Sequence, residues 1–280
     1  MVQSVSIEGE VVRATSPEGQ TATIPLRKLL TLLEPRGPEA EGRVYPDGLK
    51  MEIPRGPLTI WVHETPPRVH NFKWIAKDSP APFGPMAIYR QVRIALPYVI
   101  VMAVFARTRG GRLQLTKSNE CFFRRSPLTS SGDKLLYPAL LNVSKFDPPQ
   151  ERPLAWICTQ YLRTKNFCNV RDSNRRMRAA LKELLHCVFE SGFNLSSENN
   201  EGASWFGESR GVDPRVQDVE HWESATNEDP RFVMDVPWVE VGMTVAEVAE
   251  RIVTNLTAGS GDVGTAEDIA RFVFNNGSRR

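Results

Sequence analysis

Short apolar runs broken by prolines and glycines, rather than a helical period, organise the first half of this chain. Leu58 to Glu64 (LTIWVHE) and Arg68 to Ala76 (RVHNFKWIA) read as strands, and Pro66-Pro67 between them forbids a continuous helix. Tyr89 to Ala95 (YRQVRIA) alternates apolar and polar positions. Tyr98 to Ala106 (YVIVMAVFA) is apolar on both faces, as a central strand covered on both sides should be. Arg109-Gly110-Gly111 reads as a hairpin turn into Arg112 to Thr116, and Asn119 to Arg124 adds another short strand. Ahead of these, residues 4–13 and 20–25 predict two strands joined around Ser16-Pro17-Glu18-Gly19. Leu26 to Leu33 predicts a short helix ended by Pro35, and residues 34–56, rich in Pro, Gly and charge, predict a loop or boundary.

The period changes in the second half. Residues 125–153 read as mostly irregular, and loops of that length often carry function. A helix is predicted from about Asn174 to Ser191, capped by Asp172 or Ser173 and ended by Gly192. Its apolar stripe is Met177, Leu181, Leu184, Leu185 and Val188, with Arg175, Arg176, Arg178 and Lys182 on a solvated face and Cys187 turned away from the stripe. Residues 194–230 are polar and turn-rich, so Trp205, Phe206 and Trp222 read as pins holding a loop-rich cover onto the core. Thr244 with Glu247, and Thr265 with Asp268, form capping boxes that open two final short helices. The last residues, Asn275 to Arg280, read as frayed. Strands without intervening helices from 58 to 124, followed by helices, predict an α+β fold: an antiparallel sheet of five to seven strands packed by the 174–191 helix. The expected division is 1–54 (hairpin, short helix and linker), 55–195 (core) and 196–280 (aromatic-rich segment and C-terminal helices packed on the core).

Composition narrows the function classes. The 280 residues are 41% hydrophobic and 24% charged, with a formal net charge of +2, so charge gives no reason to invoke nucleic acid or a membrane surface. The 21 prolines favour short strands and turns over a helical bundle. No signal peptide or spanning segment is read, so the expected compartment is the cytoplasm. Cys121, Cys158, Cys168 and Cys187 form no CxxC pair and no cysteine–histidine cluster, so four reduced thiols, no zinc and no cofactor are expected. His63 and His70 lie on neighbouring candidate strands but lack further ligands for a metal, and no phosphate loop or serine elbow is found.

Candidate chemistry concentrates in residues 138–162, PALLNVSKFDPPQERPLAWICTQYL. Cys158 can be a thioester-forming nucleophile or ordinary core, since free cysteine is among the most buried residue types. Asn142 can place a side-chain amide against the oxyanion of acyl transfer or simply end a short strand. Cys168, in a more polar setting, is a reserve nucleophile, and Cys121 before Phe122-Phe123 reads as core.

Three pieces of this stretch resemble a known family. Pro138-Ala-Leu-Leu-Asn142-Val143, then Ile157-Cys158, then Glu190-Ser191-Gly192-Phe193 are similar to the pattern of prokaryotic ubiquitin-conjugating-like proteins, near the group around the PRTRC plasmid-system protein B. The strand-rich stretch with TIWVHETPPRV looks like the family's meander, and the resemblance covers residues of about 55 to 195. It implies a UBC-like core with N- and C-terminal extensions. It also implies that Cys158 accepts the C-terminus of a ubiquitin-like modifier as a thioester, with Asn142 as oxyanion partner and an activating enzyme as partner protein. The chain departs from the family in two places: Leu140-Leu141 stand ahead of Asn142 where His-Pro is typical, and the sixteen-residue step to Cys158, carrying Pro148-Pro149, is longer than usual. A UBC-like domain without catalysis, serving as an interaction module of a bacterial plasmid, phage or defence assembly, is the alternative.

Overall fold

The computed structural model describes residues 4–28, 44–108, 111–146, 153–200, 202–259 and 278–279. The fold is α+β, built from antiparallel sheets and several helices. It divides into two compact units, one of residues 1–42 with 252–280 and one of residues 43–251.

In the smaller unit, β1 (Ser4–Glu8), β2 (Val11–Thr15) and β3 (Thr21–Pro25) form an antiparallel meander. The single strand expected over 4–13 is in fact two. Glu8 pairs with Val11, and the turn between them begins at Gly9, whose φ of +59° suits a residue without Cβ. The turn at Ser16 to Gly19 joins β2 to β3 as expected, with Gly19 N–H donating to Ser16 O. A helix begins at Leu26; its continuation to Leu33 lies outside the described residues.

In the larger unit, β4 (Leu49–Arg55) occupies part of the stretch expected to be loop. It lies at the edge of its sheet, where Pro54 opposite Thr59 removes no N–H that an inner strand would need. β5 (Leu58–Thr65) pairs with β4 on one side and, from Leu58↔Ala106 to Thr65↔Val99, with β8 on the other. The hairpin of β6 (Arg68–Ile75) and β7 (Tyr89–Leu96) therefore leaves that sheet and forms another. One antiparallel sheet of five to seven strands was expected, but the buried length of β8 (Tyr98–Arg107) pairs with β5, β9 (Leu113–Leu115) and β10 (Glu120–Arg124) and leaves β6 and β7 to a second sheet.

Residues 125–153, expected to be irregular, carry β11 (Lys134–Leu136) and β12 (Val143–Phe146), and Leu135 to Ser144 is buried throughout. β13 (Leu154–Ile157) pairs with β12 and β10. The sheet thus runs β12-β13-β10-β8-β5-β4, with β9 on β8 and β11 on β10.

Helix α1 (Ser173–Phe189) starts where the cap predicts, with Asp172 accepting from Arg175 N–H. Two expectations on it are corrected. Arg176 is not solvated: it is 2% exposed, and its guanidinium donates to the carbonyls of Leu113 and Val170. Cys187 is buried beside Ala180 and Leu184, which share its face at spacings of seven and three, while Leu185 is only half-buried.

After α1, β14 (Gly192–Phe193) runs parallel to β6, completing a three-stranded sheet. Residues 194–230 are helical rather than loop-rich, with α2 (Ser196–Asn200), α3 (Trp205–Ser209) and α4 (Val219–Glu228). Helix α4 covers the free edge of β7 with side chains. Glu223 accepts from Arg93 N–H, Thr226 accepts from Ala95 N–H, and Trp222 Nε1–H donates to Ala95 O. Those bonds satisfy strand-edge groups that otherwise invite another chain. β15 (Glu240–Thr244) pairs with β11, and α5 (Val245–Gly259) follows with the expected capping box, Thr244 and Glu247 bonding reciprocally. The helix expected after Thr265 lies outside the described residues. Ser278 and Arg279, expected to fray, form β16 against β3 in the smaller unit. Among the described residues no helix is long and apolar enough to cross a membrane.

Candidate functional site

Asn142 ends a buried, proline-started segment, and β12 leaves it at once. The register Val143↔Ile157, Ser144↔Trp156 and Phe146↔Leu154 folds the chain back on itself. Cys158, one residue past β13, therefore lies opposite Asn142, and its N–H donates to Asn142 O at 2.9 Å. The pairing of β12 with β13 closes the step from Asn142 to Cys158; residues 147–152 lie outside the described residues.

Past Cys158 the chain turns, with Leu162 N–H donating to Thr159 O, and a single 3-10 turn at Thr164–Asn166 leads towards α1. The C-terminal end of α1 returns to the site. Asn142 Nδ2 donates to Cys187 O at 2.7 Å and to Val188 O at 3.3 Å. Both amide hydrogens are therefore engaged by carbonyls at the helix end, which lack intrahelical donors. Asn142 Oδ1 is buried and has no hydrogen-bond partner among the described residues.

Cys158 is 8% exposed. Its Sγ lies 4.0 Å from Ser196 Oγ. Ser196 N–H donates to Asn194 Oδ1 at 2.8 Å, and Asn194 Nδ2 reaches the hydroxyls of Tyr161 (3.2 Å) and Tyr89 (3.4 Å). Burial raises the Tyr161 phenol above its ordinary pKa, with Tyr89 adding to the effect. A polar chain thus leads from the thiol through Ser196 and Asn194 to the exposed Tyr161. Gly192 sets one wall: a Cβ there would sit 2.9 Å from the Tyr89 ring, so only glycine lets that ring approach. From the sequence, Gly192 stands as the helix end and as part of the Glu190-Ser191-Gly192-Phe193 motif, not as a wall beside Tyr89. The sequence reading missed Asn194, Ser196 and Tyr89, because nothing in their local patterns connects them to Cys158.

The other thiols differ from Cys158. Burial pushes Cys187 up to about 12 and also raises Cys121, so both remain neutral. Cys168 is exposed and has no place in this cluster. His63 and His70 do not build a site together. His63 contacts Asp47 O, while His70 stacks on Phe189 at 4.6 Å between ring centroids and lies 5.4 Å from Phe72. Among the described residues no group of three or more His, Cys, Asp or Glu could hold a metal ion. A groove of about 370 Å³ lined by Trp74, Pro80, Pro82, Phe206 and Arg210 lies along the neighbouring surface and shares Leu195, but Cys158 does not line it.

The arrangement can present one sulfur nucleophile within a polar, mostly buried shell, with Asn142 tying the cysteine-bearing hairpin to the end of α1. No described protein family, no curated protein and no solved structure matches this chain.

Proposed function

We propose that this chain is a ubiquitin-conjugating-like protein of a bacterial conjugation or defence system. It acts in the cytoplasm and accepts the C-terminus of a ubiquitin-like modifier as a thioester on Cys158, with an activating enzyme as donor. The observation that carries the reading is the main-chain bond from Cys158 to Asn142, which brings the two resembling motifs together at the base of one hairpin. A thiol that receives an already activated acyl group needs access and modest polarity, not a strong base. Cys158 keeps 8% of its surface exposed, and Ser196 Oγ lies 4.0 Å from its sulfur.

The test uses a peptide ending in Gly-Gly, activated as its mercaptoethanesulfonate thioester, and protein carrying Cys168→Ser to remove the exposed thiol. The expected result is a single adduct on Cys158, released by dithiothreitol and absent in Cys158→Ala. An adduct that survives Cys158→Ala, or no adduct at all, overturns the proposal.

One observation favours a second reading, a non-catalytic interaction module: both amide hydrogens of Asn142 are engaged by α1 carbonyls, away from any acyl group. Under that reading mild alkylation of native protein leaves Cys158 unmodified. Selective labelling of Cys158 sinks it.

A further inference from the structure

Resting on the thioester reading above, we infer that Ser196 is the hydroxyl donor to the Cys158 sulfur, and that Asn194, steadied by Tyr161 and Tyr89, is the positioning residue that holds Ser196 there. The sulfur carries negative charge at two moments: as the attacking thiolate, and again when the thioester is discharged. In discharge an amine nitrogen bonds to the acyl carbon, the carbon–sulfur bond breaks with its electron pair going to Sγ, and the nitrogen passes its extra proton to water. An anion forming in so buried a setting is unfavourable unless a donor meets it.

Asn142 is not that donor in this arrangement, because its N–H groups bond Cys187 O and Val188 O. Ser196 Oγ lies 4.0 Å from Sγ, and Ser196 is 3% exposed, so water does not compete freely for its proton. The segment that carries it is fixed at three points. Asn194 Oδ1 accepts from Ser196 N–H, Leu195 N–H donates to Pro82 O, and Asn194 Nδ2 contacts two tyrosine hydroxyls. Asn142, whose main-chain oxygen accepts from Cys158 N–H, also holds a buried acceptor, Oδ1, with no hydrogen-bond partner among the described residues. An incoming amine N–H would satisfy it.

The experiment measures the rate at which iodoacetamide alkylates Cys158 across pH in the Cys168→Ser protein, with peptide mass spectrometry locating the label. Ser196→Ala should raise the apparent pKa of the thiol by about one unit, slowing alkylation at neutral pH about tenfold. Asn194→Ala should shift it in the same direction, and Tyr161→Phe by less. Ser196→Thr, which keeps the hydroxyl, should restore most of the rate. The second readout is discharge of the Gly-Gly peptide thioester to free lysine, which Ser196→Ala should slow while Cys158 still loads. An unchanged pH profile in Ser196→Ala overturns the inference. If wild type alkylates normally but never loads, the thioester reading fails, and the pH profile still decides whether Ser196 serves the sulfur. Loss of the rate in Ser196→Thr as complete as in Ser196→Ala would show a packing defect and also overturn it.

Discussion

Cys158 donates its main-chain N–H to the carbonyl oxygen of Asn142 at 2.9 Å, while the Asn142 side chain donates to Cys187 O at 2.7 Å. One residue therefore joins the end of the cysteine-bearing hairpin to the end of α1. Asn142→Ala should leave Val188 O short of its donor and Cys187 O with only the Ser191 hydroxyl, and cost about 1–3 kcal/mol. Asn142→Asp should cost more, since a carboxylate would face carbonyl oxygens, and its deficit should grow as pH rises through the carboxyl range. Denaturant midpoints at pH 4 and pH 7 check both. Equal stability of Asn142→Ala and wild type would mean the amide does not tie the helix.

Glu120 is enclosed between β8 and β13, and burial raises its carboxyl to about 8, partly offset by the Ala155 backbone. The folded protein therefore keeps a proton that the unfolded chain releases near the ordinary glutamate pKa. The stabilisation is full below that ordinary value and is lost as pH rises towards about 8, at up to about 1.4 kcal/mol per pH unit. Glu120→Gln removes the titration. The variant should match wild type near pH 4 and exceed it progressively up to pH 8 in chemical melts. A constant difference across that range would disprove the buried acid.

His70 lies against the rings of Phe72 and Phe189, and burial lowers its pKa to about 4, with Arg68 adding to the effect. Here the sign is reversed. Between the ordinary histidine pKa and about 4 only the unfolded chain takes up the proton, so stability falls as pH drops through that window. His70→Phe should flatten this acid limb, while its larger ring and the loss of the acceptor for Arg68 Nε–H should cost about 1–3 kcal/mol at pH 7. Thermal melts of both proteins from pH 4 to pH 7 test it.

Arg176 carries the start of α1 against β9. Its Nε donates to Leu113 O at 2.9 Å, and its terminal nitrogens reach Val170 O and Ser173 Oγ. Arg176→Met should keep the stem's packing yet leave those acceptors unpaired, costing about 2–4 kcal/mol. Arg176→Lys should recover only part, since an ammonium cannot reproduce the planar fork. Urea unfolding with an unchanged slope measures the loss, and full recovery by lysine would contradict the forked geometry.

Much of the α+β fold was legible along the chain because its signals are local. The both-sides-apolar run at Tyr98 to Ala106, the Asp172 cap and the Thr244–Glu247 capping box each depend on a few neighbouring residues. β4 and β12 were missed because Pro54 at an edge and the prolines around Asn142 are breaker signals that only sheet position overrides. Arg176 and Cys187 were placed on the wrong side of α1 because a helix has no outside until its neighbours are known.

The sequence by itself determined that Asn142 and Cys158 stand in one proline-punctuated stretch, with a helix to follow. Only the tertiary structure decided that hairpin pairing closes the sixteen-residue gap into a hydrogen bond, that the end of α1 takes up Asn142's amide, and that Ser196 and Asn194 come to the sulfur. Those partners lie tens of residues from Cys158 along the chain. Spacing in sequence records local conformation, whereas contact between distant segments is set by which apolar faces can be buried together.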